Sequence, residues 1–511
     1  MTFHSILFEN DDGRLAAETA VAPDFFVDLN LDQIIEAVTS GRQEYNLEPF
    51  FYTSLNRVAA VQYRQEIARD LEDEALQEKI NVFSEKMRVM RRYLALTEKL
   101  DNQYHLEGWF LETVDAYCEA VICLTADLTH ASLRSRGLLA FREYLTNYTN
   151  ANAFVSLLAE IKHLKAELST VAYCVIFKDS TVKVRKYDAE IDYSTDVENT
   201  FAKFKQGAVK DYRVKLFEGA GMNHIEAKIL SLVAKLYPDI FSNLDRFCTQ
   251  HSQFLDETIR IFDREVQFYM AYLEHIAVIR RAGLAFCYPQ VSQKSKEIYD
   301  TDGFDLALAH KLVSEGGSVV GNDFYLKGQE RILVVSGPNQ GGKTTFARTF
   351  GQLHYLANLG CPVPGREARL FLFDRLFSHF EKEENLQNLR GKLQDDLVRI
   401  HTILDQATSD SIFILNEIFS STTLKDEIFL SKEVMARIIE LDLLCVWVTF
   451  VDELSSASEK SVSMVSSIVP ENPTLRTYKI LRKPADGLAY AMFIARKHRL
   501  TYEEMKERIP S

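Results

Sequence analysis

The sequence predicts a multidomain protein in which a mainly α-helical region with a small β insertion precedes an α/β domain. Apolar residues recur at helical spacing through most of residues 31–290. A segment near 165–215 departs from that spacing and contains runs of β-branched and aromatic residues. After about residue 291, short apolar runs end in glycine-rich or polar segments, as strands do when they alternate with helices. These patterns predict an N-terminal arm at 1–30, a helical domain at 31–290 and an α/β domain at 291–511, with a polar linker between Tyr288 and about Gly303.

Two sets of apolar residues illustrate the helical pattern. Phe83, Met87, Met90 and Leu94 are spaced so that they share one face of a helix. A second set recurs at every seventh position: Phe247, Phe254, Ile261 and Phe268. No proline interrupts this second set, so it predicts one long helix that packs along a partner helix.

The β insertion is predicted to contain a hairpin. Runs at 170–177 and 181–187 flank a short polar turn and are rich in β-branched and aromatic residues. Strand alternation places Lys183, Arg185 and Tyr187 on one face of the second strand. Two cations and an aromatic ring can contact a nucleic-acid backbone. An ordinary solvated strand face explains the pattern at least as well, because acidic residues nearby dilute the positive charge.

Composition narrows the class of protein. The chain has 511 residues, of which 47% are hydrophobic and 26% charged, enough for two or three domains with a large core. The net charge of −14 counts against a broad nucleic-acid surface, so any such contact requires a local basic face. Seven cysteines lie without metal-type spacing, and no apolar run reaches the length of a membrane span. The sequence therefore predicts a soluble, cytoplasmic protein without a membrane partner.

A glycine-rich motif follows the apolar run 332–335. It reads Gly337-Pro338-Asn339-Gln340-Gly341-Gly342-Lys343-Thr344 and precedes a helix-compatible stretch. This order is typical of a phosphate-binding loop, whose backbone N–H groups and helix N-terminus hold phosphate groups. The alternative is a chance glycine-rich turn before a helix. The predicted ligand is ATP or GTP with Mg²⁺, and the predicted contacts are Gly337, Pro338, Asn339, Gly341, Gly342, Lys343, Thr344 and Thr345. Lys343 would reach the β- and γ-phosphates, and Thr344 would hold Mg²⁺.

A second apolar run, from Ser411 to Leu415, ends in Asn416-Glu417. Buried strands of this kind usually end in Asp-Glu, where the aspartate holds Mg²⁺ through water and the glutamate polarises the attacking water. Asn416 can hydrogen-bond a metal-bound water but brings no negative charge, so weaker Mg²⁺ binding and slower turnover are expected. Glu417 remains the predicted general base.

Several motifs together resemble the MutS family, the ABC-type ATPases of DNA mismatch repair and recombination control. They are the Gly-Pro-Asn-x-Gly-Gly-Lys loop, Ala-Thr-Ser-x-Ser at 407–411, Asn416-Glu417-Ile418 with Thr422-Thr423, Gly360 to Pro364, Val448-Thr449 and Asp486 to Tyr490. The resemblance covers residues 320–500. The helical half resembles the family's lever and clamp domains by its architecture. The resemblance thus implies a helical lever and clamp followed by a P-loop, ABC-type ATPase domain.

The same resemblance implies binding partners, and it shows where this sequence differs from the family pattern. It implies a homodimer with ATP at the subunit interface and helical arms that close around DNA. Gly391 and Lys392 would then reach the partner subunit's γ-phosphate, with Lys392 replacing a hydroxyl, although a solvated helix start is an equal alternative. Asn416 stands where the family has aspartate and Phe450 where it has histidine. Both changes are expected to weaken hydrolysis more than binding.

Two further expectations concern what the chain recognises. Residues 1–30 hold no Phe-x-Glu wedge, so the chain is expected to lack the family's mismatch-reading domain and to favour branched DNA by shape. A nucleotide switch that acts on a protein or RNA partner is the alternative, as is a nucleotide-binding protein with almost no hydrolysis. Val319 and Val320 lie where relatives have an aromatic residue for the base, so base stacking must come from elsewhere.

Overall fold

The computed structural model describes residues 3–9, 19–178, 181–188, 222–380, 391–469, 472–485, 501 and 505–506. The chain divides into two compact units. The helical unit comprises Met1–Phe3, Glu74–Leu133 and Leu139–Asp263, and the sheet unit comprises His4–Asp73, Arg134–Leu138 and Arg264–Ser511. The prediction of a multidomain protein with a helical part and a part that contains sheets is confirmed.

The helices are, in chain order, α1 (Phe25–Asp28), α2 (Leu31–Thr39), α3 (Glu48–Tyr52), α4 (Val58–Asp70), α5 (Glu74–Thr97), α6 (Gln103–His130), α7 (Arg136–Asn150), α8 (Asn152–Ser169), α9 (His224–Leu236), α10 (Pro238–Gln250), α11 (Glu257–Arg281), α12 (Leu306–Ser314), α13 (Lys343–Asn358), α14 (Lys392–Gln406) and α15 (Leu424–Leu441). Within the described ranges, every helix is too short or too polar to span a lipid bilayer.

The strands are β1 (Tyr173–Lys178), β2 (Thr181–Lys186), β3 (Phe286–Cys287), β4 (Gln290–Ser292), β5 (Ile298–Gly303), β6 (Asn322–Leu326), β7 (Ile332–Ser336), β8 (Val363–Pro364), β9 (Glu367–Phe371), β10 (Leu376–Phe380), β11 (Ile412–Asn416), β12 (Leu444–Val448), β13 (Ser461–Val469) and β14 (Asn472–Arg482). The stretch predicted as a polar linker contains β4 and β5, so that prediction is wrong. Its polar residues alternate with buried ones such as Ile298, because β5 lies in the interior of a four-stranded sheet of order β4-β9-β5-β6.

The helical unit buries the predicted apolar face of α5. Phe83, Met87 and Met90 are buried, whereas Leu94 is half-buried. The ring of Phe83 packs 6.0 Å from that of Phe262, which in turn stacks 3.7 Å from Phe141. An aromatic core of this kind joins helices that are distant in sequence.

The second apolar set does not form a single helix, and that prediction is wrong. Helix α10 ends at Gln250 and α11 begins at Glu257. Asp256 starts the new helix because its Oδ1 accepts a hydrogen bond from the N–H of Ile259 at 3.0 Å. Phe254 lies in the connection and packs its ring 5.6 Å from Phe110. The seven-residue spacing of apolar residues continues across the break between the two helices, so the spacing alone could not predict that break.

The predicted hairpin is present as β1 and β2, which pair antiparallel with Val175 opposite Val184. Lys183, Arg185 and Tyr187 are exposed on one face, as alternation predicted. On the other face, Val184 packs against the apolar cluster of α9 and α10. The remainder of the predicted insertion, at 189–221, lies outside the described residues, as does the motif at 486–490.

The main sheet of the sheet unit has six strands in the order β10-β11-β12-β7-β13-β14. All pairs are parallel except β13 with β14. Strands β7, β11 and β12 are buried at every position, as expected of parallel strands covered on both faces. Because parallel strands end at the same edge, the segments after these three strands meet there.

Residues from the N-terminal segment are part of the sheet unit. The Ser5 hydroxyl donates to the carboxylate of Glu265, with oxygen distances of 2.7 and 2.8 Å, and the N–H of Ile6 donates to the same group at 2.9 Å. The fully buried Arg64 donates through Nε to the carbonyl of Leu7 at 3.0 Å. These hydrogen bonds are buried, so they hold residues 5–8 to α4 and to α11.

Asp300 on β5 gives the sheet unit a pH-dependent stability. Its side chain is buried, and burial raises its pKa to about 8, with the charges of Asp323 and Asp302 adding to the increase and the N–H of Gly303 opposing it. The folded state therefore binds this proton more tightly than the unfolded state, whose pKa is 3.8. The contribution of Asp300 to stability is therefore greatest below about pH 4 and is lost as the pH rises towards 8.

Replacing Asp300 with asparagine is expected to raise the melting temperature by several degrees at pH 8 and to change it little at pH 4, because asparagine carries no charge to bury. Thermal unfolding at both pH values measures this. Asp405→Asn is the control, since Asp405 is exposed on α14 and pairs with His401. Equal pH dependence in Asp300→Asn and the unchanged protein would contradict the assignment.

Candidate functional site

The glycine-rich motif forms the bend between β7 and α13. Gly337, Gln340 and Gly342 have φ angles of 121°, 58° and 90°, a region that favours glycine. A Cβ atom on Gly341 would lie 2.2 Å from Ser466 Oγ, and this hydroxyl donates to the Gly341 carbonyl at 2.7 Å. Strand β13 therefore packs directly on the loop, which leaves no room for a side chain at Gly341. The predicted strand, loop and helix are thus in place.

Lys343 is the first residue of α13 and is buried. Its Nζ donates to the carbonyls of Gly337 at 3.0 Å and Pro338 at 3.3 Å and lies 3.7 Å from Glu417 Oε1. The ring of Phe450 covers the ammonium, with its centroid 4.2 Å from Nζ. Burial lowers the pKa of Lys343, and the charge of Glu417 opposes this effect. The loop thus keeps a cation in place through two of its own carbonyl groups.

Thr344 and Asn416, the two predicted Mg²⁺ ligands, are in contact. The Thr344 hydroxyl donates to Asn416 Oδ1 at 3.0 Å. In the described ranges, no three His, Cys, Asp or Glu side chains lie close enough together to hold a metal ion. A hydroxyl and an amide oxygen suit Mg²⁺ that keeps most of its water and takes phosphate oxygens as further ligands. These residues therefore fit a hydrated ion that accompanies a nucleotide.

Glu417 follows β11 at the same edge of the sheet. Its φ angle is 54°, and its N–H donates to the carbonyl of Val448 at 2.9 Å, which fixes the turn against β12. Positive φ is uncommon for a residue with a side chain and often marks a functional site. Burial and the charge of Glu417 raise the pKa of Glu427 on α15. Glu417 is therefore a carboxylate held in a strained turn next to Lys343.

Gly391 and Lys392 begin α14. A Cβ on Gly391 would have no neighbour within 4 Å, so the space around this residue is open. Further along α14, Arg399 donates to Asp28 Oδ2 at 3.1 Å and Asp396 lies 3.0 Å from Nε2 of His379 on β10. These contacts fix the helix to β10 and α1. The structure does not bring Gly391 and Lys392 to the loop in any contact that it describes.

Sequence reasoning missed two residues that support the loop. Ser466 on β13 packs against Gly341, and Arg476 on β14 donates through Nε to the carbonyl of Asn339 at 3.1 Å. Both lie more than a hundred residues after the motif, and no local pattern singles them out. A cleft of about 470 Å³ lies elsewhere in the sheet unit, beside Tyr52 and Arg399. A second cleft of similar volume is lined by Asn322, Ser467 and Lys479, next to this support.

The fold and this site define a multidomain protein whose sheet unit carries a glycine-rich loop, a lysine and an Asn-Glu pair at one edge of a parallel sheet. Residues 333–500 match the family model described as MutS domain V. In this C-terminal region the chain is similar to the MutS family, as its motifs predicted.

Three relatives illustrate the similarity. The DNA mismatch repair protein MutS of Zymomonas mobilis is 30% identical over 225 residues, which are 42% of this chain and 26% of the relative. The endonuclease MutS2 of Thermus thermophilus is 29% identical over 202 residues, 39% of this chain and 26% of the relative. The endonuclease MutS2 of Gemmatimonas aurantiaca is 27% identical over 206 residues, which are 39% of this chain and 25% of the relative. The chain covers about a quarter of the length of each relative.

Proposed function

We propose that this protein is an ATP-dependent switch of the MutS type that binds DNA as a homodimer. The observation that carries the proposal is the convergence of Lys343, Thr344, Asn416 and Glu417 around the glycine-rich loop. A buried cation beside backbone N–H groups at a helix N-terminus suits a polyphosphate. The similarity to proteins named for DNA mismatch repair supports the choice of DNA.

Each residue of the site has a role in this proposal. The N–H groups of the loop hold the phosphates, and Lys343 exchanges the carbonyls of Gly337 and Pro338 for phosphate oxygens. Thr344 and Asn416 orient the water shell of Mg²⁺, which when bound neutralises phosphate charge. Glu417 accepts a proton from the attacking water.

Hydrolysis is proposed to be slow. Asn416 brings no negative charge to the Mg²⁺ position, and Phe450 offers an apolar ring where a hydrogen-bonding side chain would contact the γ-phosphate. Both changes affect the transition state more than the bound ground state, so binding persists while turnover falls. The protein then acts through bound ATP rather than through rapid consumption of it.

In the proposed dimer, ATP binding is coupled to a movement of the two subunits relative to each other. We place Gly391 and Lys392 of one subunit against the γ-phosphate held by Lys343 of its partner. Open space around Gly391 supports this, since a partner can approach there. ATP would then favour a closed pair of ATPase domains over an open pair. The difference between its contacts in the closed and the open pair would set how far the equilibrium moves towards the closed pair.

The hairpin is the proposed DNA contact. Lys183, Arg185 and Tyr187 share one exposed face of β2. Such a face contacts phosphates without reading bases, so it favours DNA shape. A protein or RNA partner is the second candidate, favoured by the net charge of −14.

Reversing both charges with Lys183→Glu and Arg185→Glu is expected to weaken DNA binding at least tenfold and to reduce the salt dependence, because about two phosphate contacts are lost. Fluorescence anisotropy with labelled linear duplex, branched and single-stranded DNA, with and without Mg-ATP, measures both quantities.

Lys99→Glu with Lys162→Glu is the control, since it changes the charge equally on two exposed lysines of the helical unit. Unchanged affinity and salt dependence in the hairpin variant would exclude this surface. No DNA binding by the unchanged protein, with ATP still bound, would favour the protein or RNA partner.

A further inference from the structure

Strand β14 contains a bulge beside the glycine-rich loop. Ser466 pairs with Ile480 and Ile468 with Arg476, so three residues of β14 lie opposite the single residue Ser467. Tyr478 is the middle one of the three. Its φ angle is 60° and its side chain is exposed, with 52% of the residue's surface accessible. Bulges turn side chains out of a sheet and are common next to active sites.

Hydrogen bonds on both sides hold this strained conformation. The Ser467 hydroxyl lies 2.5 Å from Thr477 Oγ1 and donates to the carbonyl of Lys479 at 3.0 Å. The side-chain amide of Asn322 donates to the Tyr478 carbonyl at 3.2 Å and accepts from the Ile480 N–H at 2.7 Å. A tyrosine at positive φ persists only where its surroundings fix it, and strain of this kind is concentrated at ligand sites.

The bulge lies against the loop and the segment that precedes β6. A Cβ atom on Gly342 would be 3.7 Å from Tyr478 Cβ. On the other side, Lys479 Nζ donates to the carbonyl of Gly321. The tyrosine therefore lies between the start of α13 and the segment Val319 to Asn322. That segment offers only aliphatic side chains for stacking, at Val319 and Val320.

We propose that Tyr478 is the stacking surface for the base of the nucleotide that the loop holds. The inference rests on the proposed function and names the residue that recognises the base. An exposed ring fixed at one end of a phosphate-binding loop presents a flat apolar face within reach of a nucleoside attached to those phosphates. Stacking accepts any base, and the large ring system of a purine gains most from it. The ligand class is therefore a purine nucleoside triphosphate.

The test compares Tyr478→Asn with Tyr478→Phe, because asparagine tolerates positive φ but lacks a ring, whereas phenylalanine keeps the ring. Isothermal titration with Mg-ATP and with Mg-tripolyphosphate, which has no base, measures affinity. We expect Tyr478→Asn to weaken ATP binding roughly 5- to 100-fold and to leave tripolyphosphate binding unchanged. Tyr478→Phe should bind both ligands as the unchanged protein does.

Three outcomes would overturn the inference. If Tyr478→Asn binds ATP normally, the ring does not hold the base, although the proposed function stands. If it binds ATP and tripolyphosphate equally weakly, the substitution acts on the loop rather than on the base. If the unchanged protein binds neither ligand, the proposed function fails and this inference fails with it.

Discussion

Replacing Lys343 with alanine is expected to abolish ATP binding or to weaken it severely. The ammonium contacts both the carbonyl groups of the loop and the carboxylate of Glu417. Removing one partner of a buried charge pair costs about 2–5 kcal/mol, which corresponds to roughly a 30- to 5,000-fold loss of affinity. Titration with a fluorescent ATP analogue measures the loss.

Lys432→Ala is the matched control, because Lys432 is exposed on α15 and pairs with Glu453 rather than with the loop. The control should bind ATP as the unchanged protein does. Circular dichroism and thermal unfolding show whether Lys343→Ala keeps the overall fold, since the lysine also bonds to Gly337 and Pro338. A folded Lys343→Ala protein that binds ATP normally would rule out the loop as the phosphate site.

The double variant Asn416→Asp with Phe450→His is expected to raise the rate of ATP hydrolysis on the order of 10- to 100-fold. Aspartate adds a negative charge next to Thr344, where the hydrated Mg²⁺ is proposed to lie. Histidine adds a hydrogen-bonding group in place of the ring that covers Lys343. Phosphate release under saturating Mg-ATP measures turnover, while the affinity for ATP should change much less.

Each single variant separates the two effects. Asn416→Asp should increase the apparent affinity for Mg²⁺ because it restores a charge, whereas Phe450→His should not. Phe450→Leu is the control for loss of the ring without gain of a polar group. If the double variant and the unchanged protein hydrolyse ATP at the same rate, these two positions do not limit turnover.

The central elements of the candidate site could be predicted because their signals are local. The loop from Gly337 to Thr344 carries its glycines and its lysine in one continuous motif, and the apolar run before Asn416 identifies a buried strand directly. Period-two alternation likewise predicted the faces of the hairpin at Lys183 and Arg185. In each case neighbouring residues contain the whole signal.

The features that the sequence did not reveal depend on residues far apart. The stretch from Gln290 to Gly303 is polar, yet it forms strands because β9 and β6 supply partners for β5. Ser466 and Tyr478 acquire their positions from the pairing of β13 and β14 beside the loop. The break before Glu257 is different, because it depends on a local cap, Asp256, that the seven-residue repeat did not reveal. Pairing of distant segments decides the other features.

The division of the chain also sets the order in which the protein can fold during synthesis. Ser5 must wait for Glu265, which leaves the ribosome 260 residues later. The helical unit draws nearly all its residues from one intervening stretch, 74–263, and can collapse as soon as that stretch has emerged. Arg64 can bond to the Leu7 carbonyl much earlier, but the Ser5 hydroxyl and the Ile6 N–H lack their acceptor until α11 has emerged. The sheet unit is therefore completed only after the helical unit has been made.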